Sequence, residues 1–273
     1  CDETSDDEVN NPNDLCDRCQ QTTWLAQTFL ETSFARDEVS FRRIADVEVD
    51  LLGNLYVVDV DLAQVFRVNA VAGSLTHPDV RVDLVAGAGD LGESAGGASD
   101  ESEQAIQIRL HEPVRIAVDG VGNLYILDHL WDRSQFLLAS RIVKVDTQGL
   151  AEVIYQTELS GNVFATLVTD IAVDGVGTIY LGRGDPAMDD LGRLTVLEPR
   201  EMGYVEHTWN VAKPEEVVYV DVNSLAYDPI SHSLLFTLWE GHTLYGIELG
   251  SSSPWHDEVS TFEQILPDDF CKP

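Results

Sequence analysis

Basic residues are scarce in this sequence of 273 residues: 16 lysines and arginines stand against 48 aspartates and glutamates, which gives a formal net charge of −32. The lysines are Lys144, Lys213 and Lys272. A basic patch able to bind nucleic acid cannot form at this balance, and an anionic membrane surface would repel the chain. We therefore expect no nucleic-acid partner.

Long apolar runs and catalytic motifs are also missing. No stretch approaches the roughly 18 apolar residues that a transmembrane helix requires. The histidines show no HxH or HExxH spacing, and no GxSxG motif of a serine hydrolase is present. These absences favour a non-catalytic protein over an enzyme.

Cysteine is sparse, and its spacing fits no haem or zinc site. In the CxxC motif of Cys16 and Cys19, Gln20 stands where a c-type haem site needs His, and a second cysteine pair for zinc is lacking. We expect a disulfide in an exported protein, with Cys16, Cys19 and Cys271 as candidates.

The beginning of the sequence resembles a processed bacterial lipoprotein. Cys1 is followed by the acidic stretch 2–8. The resemblance implies a lipid on Cys1 as the only membrane contact, and a periplasmic or cell-surface location. Secretion without lipid, a disulfide at Cys1 and an arbitrary chain boundary are the alternatives.

Composition divides the chain into three parts. Residues 1–21 are acidic and predict a flexible tether. Residues 22–40 form a lead-in, helical or extended, in which Trp24, Phe29 and Phe34 recur at roughly helical spacing and predict a short helix. Residues 41–270 carry an internal repeat.

Each copy of the repeat is a β-rich run that ends in Asp, a turn with Gly, and a second β-rich run, which is typical of a β-hairpin. The anchoring aspartates are Asp50, Asp119, Asp174 and Asp228. Further strand-like runs follow each hairpin, beginning with 64–69 and 81–86. Four strands per repeat predict an all-β fold, a β-propeller of four-stranded blades, with an open solenoid or sandwich as the alternative. Four repeats are evident, and we expect four or five blades, since a sixth would need strands hidden in 22–41 and 59–112.

The stretches IAVDGVGNLYILD (116–128) and IAVDGVGTIYLG (171–182) resemble NHL repeats, within the six-bladed propeller group that includes gluconolactonase-type enzymes. The glycine-rich region 85–113 is similar to a loop of extracellular NHL proteins. The resemblance implies a propeller that serves as a recognition platform. It is specific for fold and not for function.

Residues near the start of each innermost strand should meet at one mouth of a propeller. These are Asp46, Arg115, Asp170 and Asn223, which could bind a cation or polar ligand or pair with one another. Gluconolactonase-like proteins bind a divalent metal there, which implies Asp46, Asp170 and Asn223 as ligands in a lactonase-type hydrolase. Ala45, Val114 and Thr169 carry no suitable ligand at the matching positions.

Two further surfaces are candidates for binding. The acidic, glycine-rich segment 87–105 could bind Ca²⁺, although it lacks EF-hand spacing and a solvated loop is the alternative. Partner-contact candidates follow the second strand of two repeats and are His129, Trp131, Trp239 and Glu240. Capping of the blade core is the alternative for these four residues.

The sequence therefore predicts a secreted or lipid-anchored propeller that acts as a protein-binding or assembly subunit of a cell-envelope complex. The alternative function is a metal-dependent, lactonase-type hydrolase that uses the propeller axis.

Overall fold

A computed structural model of the chain describes residues 40–72, 75, 79–89, 103–131, 137–157, 167–183, 191–212, 222–238, 244–249, 258–259 and 263–264. No helix within these ranges has the length and apolarity to cross a membrane. The predicted tether, the predicted N-terminal helix and the four cysteines lie outside the described residues.

The described strands form four sheets, each with the strands of one sequence repeat as its main part, and their pairings are antiparallel except that of β13 with β17. Blade 1 contains β1 to β4, at Ile44–Val49, Leu55–Asp59, Gln64–Asn69 and Arg81–Ala86. Blade 2 contains β6 to β9, at Glu112–Val118, Leu124–Trp131, Leu137–Val145 and Leu150–Gln156, with β5 (Glu103–Gln104) beside β9. A 3₁₀ turn at Ala105–Gln107 connects β5 to blade 2.

The second half of the chain repeats this arrangement. Blade 3 contains β10 to β13, at Val168–Val173, Ile179–Arg183, Leu191–Pro199 and Tyr204–Ala212, with β17 (Glu258–Val259) parallel to β13. Blade 4 contains β14 to β16 and β18, at Val222–Asp228, Ser233–Leu238, Leu244–Glu248 and Glu263–Gln264. The first strands of the blades contact one another in the order β1, β6, β10, β14. The prediction of an all-β propeller with four-stranded blades is confirmed.

The hydrophobic core lies between neighbouring blades, which explains why the second strands are apolar on both faces. Successive side chains of a strand point to opposite faces of its sheet. In β7, Ile126 packs towards blade 1, whereas Tyr125 and Leu127 pack towards blade 3. Tyr180 of β11 packs in the same way with Phe236 of blade 4.

The turn between the first two strands of each blade is set by its aspartate and a glycine. Gly53, Gly122 and Gly177 have φ values of 82°, 95° and 88°, a left-handed conformation that glycine adopts without steric cost. In the fourth turn His232 has a φ of 51° instead. That turn is one residue longer, since Asp228 pairs with Ser233 whereas Asp50 pairs with Asn54.

A buried ion pair holds the chain segment that leads into blade 2. Asp128 is 0% exposed, and its Oδ2 lies 2.8 Å from Nη2 of Arg141, which is 5% exposed. The Oδ1 atom accepts hydrogen bonds from the backbone N–H groups of His111 and Glu112, at 2.9 and 2.8 Å. Arg141 also donates to the carbonyl of Arg109. The pair therefore fixes residues 109–112 against the sheet.

We expect the substitution Asp128→Ala to lower the free energy of unfolding by about 3–5 kcal/mol, because it leaves the Arg141 guanidinium buried without its counter-charge. Urea unfolding measures this loss. The matched control is Asp61→Ala, which breaks the solvent-exposed Arg43–Asp61 pair and should change stability little. Equal losses in the two variants would contradict the assigned role of Asp128.

Candidate functional site

A cavity of about 340 Å³ lies where the ends of the four innermost strands converge. Its walls come from residues 48–51, 117–120, 171–175 and 225–227, together with Pro229. We call it the axial cavity. It lies at the end of the innermost strands that adjoins the turns. The sequence predicted the candidate mouth at the opposite end, where these strands start.

The turns beside the axial cavity share one hydrogen-bond pattern. In each of the first three repeats, Oδ1 of the turn aspartate accepts from the N–H groups two and four residues later. For Asp119 these donors are Val121 and Asn123, at 3.0 and 2.8 Å. Its Oδ2 accepts from the hydroxyl of Tyr125 at 3.1 Å. The aspartate thus holds the backbone of the turn and leaves the side chain two residues later in solvent.

That side chain is a large aliphatic one in all four turns. Leu52, Val121, Val176 and Ile230 are 78%, 71%, 78% and 91% exposed. We call these four residues the aliphatic ring, and we call the surface formed by turns 50–54, 119–123, 174–178 and 228–233 the turn face. Sequence reasoning missed this ring. The available signal was an apolar residue at the same position of each turn, where turns are usually polar.

Glu48 is the carboxyl residue of the cavity wall that does not belong to a turn. Burial raises its pKa, and repulsion from Asp46 and Asp170 acts in the same direction. Within the part of the chain that the structure describes, no Lys, Arg or His side chain forms an ion pair with Glu48. None of the described residues that line the axial cavity is basic.

At the opposite end of the strands, the structure brings three predicted site residues together. Oδ1 of Asp170 lies 3.4 Å from Nε of Arg115. Oδ2 of Asp170 accepts from the N–H of Leu225 and the hydroxyl of Ser224, at 2.8 and 2.9 Å. Oδ2 of Asp46 accepts from the N–H of Ile116 at 2.9 Å. Both carboxylates therefore bind the backbone of the next blade, and Asn223 lies exposed beside Ser224.

This cluster at the strand starts favours structural pairing over a divalent-metal site. Arg115 already supplies positive charge to Asp170, and burial raises the pKa of both Asp46 and Asp170. Among the described residues, no group of three or more His, Cys, Asp or Glu is placed to hold a metal ion. The predicted Ca²⁺ segment lies largely outside those residues, because positions 90–102 are not described.

The predicted partner-contact residues have different surroundings. His129 is buried between blades, with Nε2 3.0 Å from the carbonyl oxygen of Val168, and burial lowers its pKa. Trp131 is 38% exposed and packs edge-on against His129. Trp239 and Glu240 lie outside the described residues.

Comparison with known proteins finds a likeness of fold. No protein-family model matches the chain, and no curated protein matches it. Among solved structures, virginiamycin B lyase from Staphylococcus aureus is 9% identical with a TM-score of 0.43, over 75% of this chain and 52% of that one. A candidate 6-phosphogluconolactonase from Bacteroides uniformis is 12% identical with a TM-score of 0.46, over 82% and 53%.

The calcium-binding protein regucalcin from Agrobacterium tumefaciens is 13% identical with a TM-score of 0.40, over 73% of this chain and 54% of that one. The chain thus spans about half the length of these three structures. At such identities and TM-scores, these neighbours carry no activity over to this chain.

The raised pKa of Glu48 predicts a pH-dependent cost to stability. A carboxyl group whose pKa is higher in the folded state binds more protons there than in the unfolded state. The free energy of unfolding therefore falls as pH rises from about 4.3, the ordinary pKa of glutamate, through the pKa of the folded state. We expect Glu48→Gln to melt at a higher temperature than the unsubstituted chain at pH 7 and at the same temperature at pH 4.

Thermal unfolding at the two pH values measures this difference. The control is Glu201→Gln, which makes the same charge change on an exposed turn and should show no such dependence. A Glu48→Gln variant that is less stable at pH 7, or equally shifted at both pH values, would refute the effect.

Proposed function

We propose that this chain is a non-catalytic protein-binding module that docks a partner on its turn face, as an assembly subunit of the cell envelope. The aliphatic ring is the observation that supports this function. Single exposed aliphatic side chains are normal on protein surfaces, whereas an apolar residue repeated at one position is a pattern that favours an interaction site. Here the same position of four turns carries an exposed aliphatic residue, and each of these turns contributes other residues to the wall of the axial cavity.

The charge of the molecule indicates what kind of partner fits. The turn face combines the aliphatic ring with the turn aspartates, and the whole chain has a net charge of −32. A second copy would bring two strongly negative molecules together, which repulsion opposes. The fitting occupant is a protein segment with apolar side chains and positive charge.

The hydrolase alternative depends on the opposite end of the innermost strands. There Arg115 faces Asp170, and Asp46 and Asp170 accept hydrogen bonds from the neighbouring blades. Protein binding is therefore the function that the geometry supports best.

Site-specific crosslinking in the source cells tests this function. A photo-crosslinking amino acid replaces Val121 or Val176 on the turn face, and Asp61 on the turn at the opposite end serves as the control position. We expect one and the same protein to be captured from both ring positions and not from position 61. Equal capture from all three positions would contradict a specific turn-face interface.

A double variant measures the contribution of the ring. Val121→Asn with Val176→Asn keeps the charge and the fold, and we expect it to weaken partner binding about 30-fold, because two exposed aliphatic side chains no longer become buried. Met202→Asn is the control, since Met202 is also largely exposed, at 93%, but lies on the β12–β13 turn. Unchanged binding by the double variant would refute the role of the ring.

A further inference from the structure

The axial cavity lies within the turn face, and its chemistry specifies what it accepts. Its walls include the aliphatic residues Val49, Ile171 and Leu225. Four of its lining residues carry carboxyl groups, namely Glu48, Asp50, Asp119 and Asp174. At about 340 Å³, the cavity is at the lower end of the range of about 300–1,000 Å³ typical of sites that enclose small ligands.

The carboxylates of the cavity differ in how they are bonded. Asp50, Asp119 and Asp174 accept hydrogen bonds from their own turns, which fix their positions. Glu48 accepts a hydrogen bond from the backbone N–H of Val49 and lies near Asp46 and Asp170, which are also acidic. No described basic side chain forms an ion pair with Glu48. Arg115, the basic group at the strand starts, pairs with Asp170. The cavity thus holds an excess of negative charge beside an apolar wall.

We infer that the axial cavity accepts a lysine or arginine side chain of the bound partner, with its aliphatic stem on the apolar wall and its cationic group facing Glu48. This inference rests on the proposed function. Lysine and arginine combine an apolar stem with a charged head, which is the combination that the wall and Glu48 require. A neutral apolar side chain would fill the cavity and leave the charge of Glu48 uncompensated and desolvated.

A small cation tests the cavity without knowledge of the partner. The probe is pentylammonium, with pentanol as the neutral compound of similar shape, and NMR of the Ala117 and Ala172 methyl groups reports binding to the full chain. We expect pentylammonium to bind at least about tenfold more tightly than pentanol. Glu48→Gln should remove this preference, and added salt should weaken pentylammonium alone. Equal binding of the two compounds, or a preference that survives Glu48→Gln, would overturn the cation site.

The partner provides the second arm of the experiment. Glu48→Gln should reduce crosslinking from Val121 and Val176 at least about fivefold. If pentylammonium binds as expected but Glu48→Gln leaves crosslinking unchanged, the cavity binds a free cation. The inference that it accepts a side chain of the partner is then refuted. If the ring positions capture no partner while pentylammonium binding is intact, the proposed function fails and the cation site remains. Pentylguanidinium in place of pentylammonium distinguishes arginine from lysine.

Discussion

The carboxylate that ends each innermost strand determines the geometry of this molecule. In the first three repeats it accepts two backbone N–H groups of its own turn, so the hairpin reverses within a few residues. The same contact sets the register of the first two strands, and with it the face to which each side chain points. It also keeps the side chain two positions later exposed to solvent. The hydrogen bonds that form the turn therefore also position the residues of the aliphatic ring.

The two ends of the innermost strands serve different purposes. At the strand starts, Asp46 and Asp170 bind the backbone of the next blade, and Arg115 faces Asp170. At the strand ends, the described lining of the axial cavity contains carboxyl groups and no basic residue. Asp46 and Asp170 are thus hydrogen-bonded within the fold, whereas Glu48, two residues after Asp46, lies close to both of these carboxylates and forms no ion pair with a described basic side chain. A carboxylate kept at a cost to stability is typical of a group that acts on something outside the folded chain.

Repeats reveal local structure better than they reveal sites. The strands Gln64–Asn69 and Arg81–Ala86 have the bounds that the sequence predicted, and the hairpins lie at the predicted aspartates, because alternation and turn chemistry are local properties. The Asp128–Arg141 pair could not be inferred without knowing that these residues face each other across β7 and β8. The axial cavity is formed by residues from 48 to 229, so only the assembled blades reveal that Glu48 lies beside Asp46 and Asp170 and not beside a basic residue of the described chain. Asp46, Arg115 and Asp170 were predicted to meet, and they do.

If a partner docks on the turn face, the aliphatic ring is covered in the native setting of the protein. Carbene footprinting measures this directly, by comparing labelling of Leu52, Val121, Val176 and Ile230 in intact cells and in the purified chain. We expect labelling of these four residues to fall several-fold in cells, while Met202, which is 93% exposed on the β12–β13 turn, is labelled alike in both. Equal labelling of the ring in cells and in the purified chain would refute docking on the turn face.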